Sequence, residues 1–439
     1  MALPHPMSCE CGKSELDLFS LPPTQTTIES SQSIEYRPIA TLTDDSPIEF
    51  LISGSADEYV DLSETYVRLT VRLKKSNGAD LVTKDEAEAW GADKIIGPVN
   101  NWLHSLFCQV DMDLNGVLTT SSTNTYPYRA YLENLLSYGK DASDSQLALG
   151  MWYKDTAGKF NSLQEDNLGF NARLLRIANS NKATMYGRPH LDLCFQDKLL
   201  LNGVDIKLRF VRSKDAFSVM RGGIVKIEDM SLFVRKVKVN SHFQLEHIKG
   251  LEKTTAKYPI KRVETKAYSI PQGHLRYVQE NLFLGQRPKR IILGMVKNSA
   301  FNGYSDENPF EFKHYSTNFV ALYIDGVQVP SKAYKPNFAN RLYDRCYVSL
   351  FESLGITNKN VGIDISYTDY LNGYTLFGFD LTPDLDHSGH FHLVKEGNVR
   401  LELNFETALP ETVNLIVYAE FDNIIEIDKA RNVHFDYTS

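Results

Sequence analysis

The chain has 439 residues, 42 % hydrophobic and 23 % charged, with a formal net charge of −8; that length suits two domains of about 200 residues, a size common among β-sandwiches, and such units bury roughly 70 % of their unfolded surface without staples. Five cysteines are few and odd in number, three of them (Cys108, Cys194, Cys346) sit in apolar stretches, and no Asn-x-Ser/Thr acceptor occurs, which argues against a secreted, disulfide-built glycoprotein and for a reducing compartment. No apolar run approaches the ~20 residues of a membrane helix, and the N-terminus lacks a charged-then-apolar signal pattern.

Residues 1–36 are rich in Pro, Ser, Thr and Gln, with 5 acids to 1 base, and read as an arm rather than a core element. Leu16, Leu18, Phe19 and Leu21 give it a short apolar patch able to lie along a neighbouring subunit. Strands follow: Ile48, Phe50 and Ile52 alternate, and Val67, Leu69, Val71 and Leu73 alternate with Arg68, Thr70, Arg72 and Lys74. An acidic helix is expected over 83–90 and a second short one over 100–107. Val110, Met112 and Leu114 then alternate with Asp111 and Asp113. Asn115-Gly116 supplies the two positive-φ residues of a I′ hairpin turn, and a return strand starts at Val117. After a polar loop, Pro127 suits the first turn of a helix. Tyr128, Tyr131, Leu132, Leu135 and Leu136 form its apolar stripe, and Gly139 is placed for a left-handed cap. Residues 141–171 form a long polar insertion, the kind that serves as a surface or lid. Residues 191–195, the alternation Val204, Ile206, Leu208 and Phe210 after an Asn202-Gly203 turn, and 224–239 close this half.

The same pattern recurs. Val320, Leu322 and Ile324 alternate, Asp325-Gly326 makes the turn, and a loop with Pro330 and Pro336 leads to a helix from about Phe338, with Leu342, Cys346 and Leu350 on its face and Gly355 at its end. The two turns are 326 − 116 = 210 residues apart, and Arg129-x-Tyr131 echoes Arg341-x-Tyr343. Val399, Leu401, Leu403 and Phe405 echo Val204 to Phe210 at 399 − 204 = 195. Further strands are expected at 263–270, 276–283, 290–296, 319–325, 374–381 and 413–421. Many strands and few helices give an all-β chain of two tandem sandwiches with short helical insertions. Eight-stranded jelly rolls are the sandwich type that carries long decorated loops. The division is an arm at 1–36, a first jelly roll at 37–245 and a second at 246–439.

Charge is uneven. Residues 235–297 hold 14 Lys/Arg against 4 Asp/Glu, whereas 380–439 hold 12 acids against 4 bases. Such asymmetry can steer subunit docking or touch nucleic acid, against the plainer reading of a solvated surface.

No phosphate loop, His-Glu-x-x-His, Gly-x-Ser-x-Gly or dinucleotide fingerprint occurs. His387, His390 and His392, with Asp384 and Asp386, have metal-ligand chemistry. Against that, Asp and Gly are ordinary turn residues, and no partner that would fix the ring nitrogens is evident nearby. His5, Cys9 and Cys11 form a weaker soft-metal set in the arm. Arg221-Gly222-Gly223 is a single RGG unit, better read as a turn between strands. No catalytic, cofactor-binding or metal residue is assigned.

The runs GPVNNWLHSLFCQVDMDLNG and STNTYPYRAYLENLLSYG resemble the major capsid protein of Maverick/Polinton elements and adintovirus-type viruses. LFSLPPTQTTIESSQSIEYRP, NGVDIKLRFVRSKDAF, ENLFLGQRPKR, GYTLFGFDLTPDL and LPETVNLIVYAEF extend the resemblance from about Leu18 to Asp436. It implies a double jelly roll, a homotrimer forming a pseudo-hexagonal capsomer, and an icosahedral shell around double-stranded DNA. It also implies neighbouring capsomers, a single jelly-roll penton protein, a minor capsid protein and a cysteine protease as partners, with no catalysis by this chain and the virion as its location. The rival readings are a lectin-like twin sandwich that binds glycans, and a cupin-type enzyme with iron at the His387 cluster.

Overall fold

The computed structural model describes residues 7–8, 11–43, 46–81, 95–162, 166–283, 285–385 and 390–437. The helix expected over 83–90 lies outside them.

Sixteen of the strands form four sheets of four, arranged as two sandwiches. In the first half, β1 (Ile28–Tyr36), β10 (Gly223–Val239), β3 (Glu58–Lys75) and β7 (Ala183–Gly187) are neighbours in that order. The facing sheet has the order β2 (Ile48–Ile52), β8 (Ile206–Arg212), β5 (Phe107–Leu114) and β6 (Val117–Leu118). In the second half the orders are β11 (Ala256–Ile270), β18 (Val413–Ile427), β13 (Arg290–Lys297), β16 (Leu376–Asp380), and β12 (Arg276–Phe283), β17 (Val399–Phe405), β14 (Thr317–Ile324), β15 (Val327–Tyr334). Two small strands, β4 (Gly97–Pro98) and β9 (Val219–Met220), pair with each other, and β19 (Val433–Phe435) pairs with β18. The chain is a tandem pair of eight-stranded jelly rolls, and the two correspond strand for strand.

The recurrent hairpins occupy equivalent places. Asn115 and Gly116 have φ of 49° and 84°, and Asp325 and Gly326 have 48° and 84°. Both turns therefore sit in the left-handed region that the Asx-Gly pair was expected to supply. Leu114 pairs with Val117 and with Ile206, while Ile324 pairs with Val327 and with Val399. Ile206, rather than Val204, is thus the counterpart of Val399, and the repeat offset is 399 − 206 = 193. The two-residue slip leaves the buried face unchanged because side chains alternate with period two.

Helix α1 (Tyr126–Ser137) carries Pro127 in its first turn and buries Tyr128, Tyr131, Leu132 and Leu135 as the stripe requires. It does not end in a left-handed glycine. Tyr138 is extended, and Gly139 has φ of −85° and caps the next helical turn. In the second half the helix begins later than expected, as α4 (Asp344–Leu354). Asn337 and Leu342 close a turn in which Arg341 adopts φ of 57°, so Phe338 and Leu342 stand outside the helix. Arg129 and Arg341 are therefore not equivalent: one is helical, the other is in that turn. Gly355, at φ of 67°, does end α4.

Other departures have simple causes. Residues 28–36 are strand β1; as an exposed edge they show no apolar stripe. Residues 327–334 are strand β15 despite Pro330, which an edge strand tolerates. Residues 192–195 form a 3-10 turn, and the sheet position there belongs to β7. Helix α3 (Ser241–Leu251), which buries no residue, links β10 to β11.

The long insertion is not a free lid. Its end runs into α2 (Leu168–Ile177), and Trp152, Phe160 and Phe170 join α1 in the apolar cluster of the second sandwich. Tyr131 stacks on Phe310 with centroids 4.2 Å apart. Fully burying one such large side chain contributes about 2 kcal/mol. Asp155 and Arg173 are wholly buried and 2.6 Å apart. Asn308 Nδ2 donates to Asp155 Oδ2 at 3.1 Å, and the Tyr374 hydroxyl donates to the Asp155 carbonyl at 2.6 Å. The first half's insertion is thus bonded into the second half.

Candidate functional site

Among the described residues one set of metal-ligating side chains converges, Asp384, His390 and His392, on the connection between β16 and β17. His390 Nε2 lies 2.8 Å from Asp384 Oδ2, and His392 Nε2 lies 3.0 Å from Asp384 Oδ1. His392 Nδ1 lies 3.2 Å from Asp422 Oδ2, and Lys289 bonds the other oxygen of Asp422. The His392 side chain is 10 % exposed and Asp422 11 %, against 44 % for Asp384 and 47 % for His390. One imidazole is therefore seated on the sandwich and the other faces outward. Burial pulls His392 down, but the carboxylates of Asp422 and Asp384 outweigh it and raise its pKa. Burial likewise raises Asp422, and Lys289 and His392 more than reverse that.

His387 and Asp386 lie outside the described residues. The expectation that no partner fixes the ring nitrogens is overturned by Asp422. That residue sits on β18, 30 positions beyond His392, and only strand pairing brings it close. Of the arm set, His5 and Cys9 are outside the described residues, and Cys11 is exposed. Arg221 and Gly222, at φ of 68° and 77°, make the turn from β9 into β10. Arg221 also pairs with Asp306 at 3.4 Å.

The two charged regions meet within the chain. β18 lies between β11 and β13, so the acidic end of the sequence is hydrogen-bonded to the basic run on both sides. Arg290 reaches Glu420 at 3.3 Å, Lys297 reaches Glu411 at 2.8 Å, Arg276 reaches Glu402 at 2.8 Å, and Lys289 bonds Asp422. Burial raises Glu420, yet the Arg290 guanidinium brings its pKa below the usual carboxylate range. Toward the first half, Arg235 pairs with Asp61 at 3.4 Å and Lys238 with Glu29 at 3.3 Å. Much of the basic run is thereby matched intramolecularly.

No family model matches the chain. A Caenorhabditis elegans protein described as "Uncharacterized protein F54H12.2" is 29 % identical over 429 residues, covering 94 % of this chain and 98 % of that one. Among solved structures, a chain of the Sputnik virophage superposes with a TM-score of 0.62 at 10 % identity, over 98 % of this chain and 94 % of its own. The Faustovirus major capsid protein gives 0.59 at 8 % identity, over 94 % and 92 %. The mavirus major capsid protein gives 0.54 at 12 % identity, over 100 % and 96 %. These likenesses establish the fold, the double jelly roll found in viral major capsid proteins.

Proposed function

We propose that the chain is a major capsid protein that assembles as a homotrimer. Three copies of a two-sandwich chain present six similar sandwiches, so a threefold particle meets six neighbours and tiles an icosahedral shell. In this reading the shell encloses double-stranded DNA, and the partners are neighbouring capsomers, a single jelly-roll penton protein, a minor capsid protein and a maturation cysteine protease. The lineage is that of Maverick/Polinton elements and adintovirus-type viruses, the location is the virion, and the chain performs no reaction. Its working units are an arm that ends ahead of β1, a first jelly roll from Ile28 to about 245, which takes in the 28–36 stretch that reads as arm in the sequence, and a second jelly roll at 246–439.

The observation that carries the reading is the strand-for-strand match of the two halves, down to the positive-φ pairs at Asn115-Gly116 and Asp325-Gly326. The fold it shares with the Faustovirus and mavirus capsid proteins supports it. No helix among the described residues is long and apolar enough to cross a membrane. Light scattering tests the trimer: three 49.8 kDa chains weigh about 150 kDa. Electron microscopy of the same sample should show hexagonal capsomers, sheets or shells. A strict monomer that forms no ordered particle at any ionic strength refutes the proposal.

A further inference from the structure

We propose that Asp384, His390 and His392 bind a zinc ion, with Asp422 positioning His392 from the sandwich behind it. Zinc holds imidazole nitrogen at about 2.0–2.1 Å and carboxylate oxygen at about 2.0–2.2 Å, which sets neighbouring donors of a tetrahedral site ~3.3 Å apart. The two imidazole Nε2 atoms lie 2.8 and 3.0 Å from the oxygens of one carboxylate, and one donor from each residue falls within 4.8 Å of the others. These separations bracket the required value, so a side-chain shift on the order of 1 Å admits the ion. The rings of His390 and His392 lie next to each other, 5.0 Å apart between centroids, each facing one oxygen of the carboxylate they share.

The surroundings have the form of a metal site. A metal-bound histidine holds its other ring nitrogen on a carboxylate or carbonyl, which fixes the tautomer and turns the ligating nitrogen toward the ion. Asp422 does this for His392 at Nδ1 and leaves Nε2 facing Asp384. Lys289 bonds Asp422 in turn, so the supporting carboxylate is itself held and its charge is matched. Two nitrogens and one carboxylate suit zinc, whereas magnesium and calcium favour all-oxygen sets. Asp384 and His390 are about half exposed, so an ion can reach the cluster from solvent. An ion here would pin the β16–β17 connection against β18.

The test uses tag-free, full-length protein stripped of metal and titrated with zinc by calorimetry, and with cobalt(II) followed by visible absorption. We expect one ion per chain and a tetrahedral cobalt spectrum. His390→Gln and His392→Gln should abolish both signals. Asp422→Asn keeps every ligand and should weaken zinc binding by about tenfold to a hundredfold. His434→Gln alters an exposed His–Asp pair elsewhere and should change neither signal. Circular dichroism of each metal-free variant reports its folding. No uptake at micromolar zinc by the wild-type chain, or uptake that the His390 and His392 variants leave intact, overturns the assignment. An unchanged affinity in Asp422→Asn overturns the positioning role.

Discussion

Asp155→Ala tests whether the insertion is a structural bolt between the two halves. Arg173 and Asp155 have no exposed side-chain surface, and Asn167 and Asn308 each give the carboxylate a hydrogen bond, at 3.0 and 3.1 Å. Removing the carboxylate strands a buried guanidinium that keeps its bonds to the carbonyls of Pro98 and Tyr153 but loses its counter-charge. Breaking a buried pair in this way costs about 3–5 kcal/mol, a large share of the ~5–15 kcal/mol that holds a native protein together. Urea unfolding followed by tryptophan fluorescence and by circular dichroism measures the loss, and coincident curves justify a single free energy. Trp152 packs beside Tyr131 at this junction and reports on it directly. The double variant Asp155→Ala/Arg173→Met removes the stranded charge and should recover part of the loss. A single variant within about 1 kcal/mol of wild type refutes the reasoning, because a neutral result is what an exposed pair would give. So does a double variant whose loss exceeds the sum of the two single losses.

Gly116→Ala and Gly326→Ala each place a Cβ at φ of 84° and should cost about 1–2 kcal/mol; because the turns are equivalent, urea midpoints should fall by similar amounts. Gly378→Ala should be as costly or worse, about 1–3 kcal/mol, since its Cβ would sit 2.3 Å from Ser353 Oγ and 3.0 Å from the Leu350 backbone where α4 crosses β16; thermal melts of matched variants check this. Acidification should destabilise the chain in two steps. Burial and the neighbouring His190 hold His104 well below 6.5, so the unfolded chain takes a proton there that the native one refuses, and stability falls as pH drops through the unfolded value. Burial raises Glu133, but Arg129 and His190 bring it to about 2; its contribution is present above the ordinary carboxylate value and is lost as pH falls toward 2. Melting temperatures across pH 8 to 3 follow both steps, and His104→Gln should flatten only the upper one.

The fold was legible wherever period two and turn chemistry acted together. Val67 to Leu73, the two Asx-Gly turns and Val399 to Phe405 are all found as strands and hairpins with the expected faces buried. Signals failed where a segment's partner lay far along the chain. The edge strand at 28–36 is polar because neither of its faces is buried, so nothing local marks it. The insertion at 141–171 looks polar in sequence because residues such as Lys154 and Asp155 are polar, yet Asp369 bonds Lys154 and Asn308 and Tyr374 bond Asp155 from the second half. The sequence brought Asp384, His390 and His392 together but not Asp422, whose contact with His392 depends on β18 running beside the connection.

The charge pattern shows why linear asymmetry is a poor guide to surface. Fourteen bases in one run and twelve acids in another suggest two faces of opposite sign. Antiparallel pairing instead lays β18 between β11 and β13, and the two signs neutralise each other at short range. Arg290 and Glu420 are 9 % and 5 % exposed, so reversing either leaves a buried like-charge pair and is felt as a folding defect before any effect on assembly. What the outer surface does offer is apolar: Leu16, Leu18, Phe19 and Leu21 are strongly exposed, Phe19 at 98 %. Under the capsid reading, deleting residues 1–26 should leave the melting temperature unchanged, since β1 begins at Ile28, yet reduce particle formation. Arg290→Glu should do the opposite, lowering the melting temperature by about 2–4 °C for each kcal/mol lost from a unit of about 200 residues. Paired melting and electron-microscopy measurements on the two variants separate the roles, and an arm deletion that unfolds the chain or leaves assembly intact refutes this division.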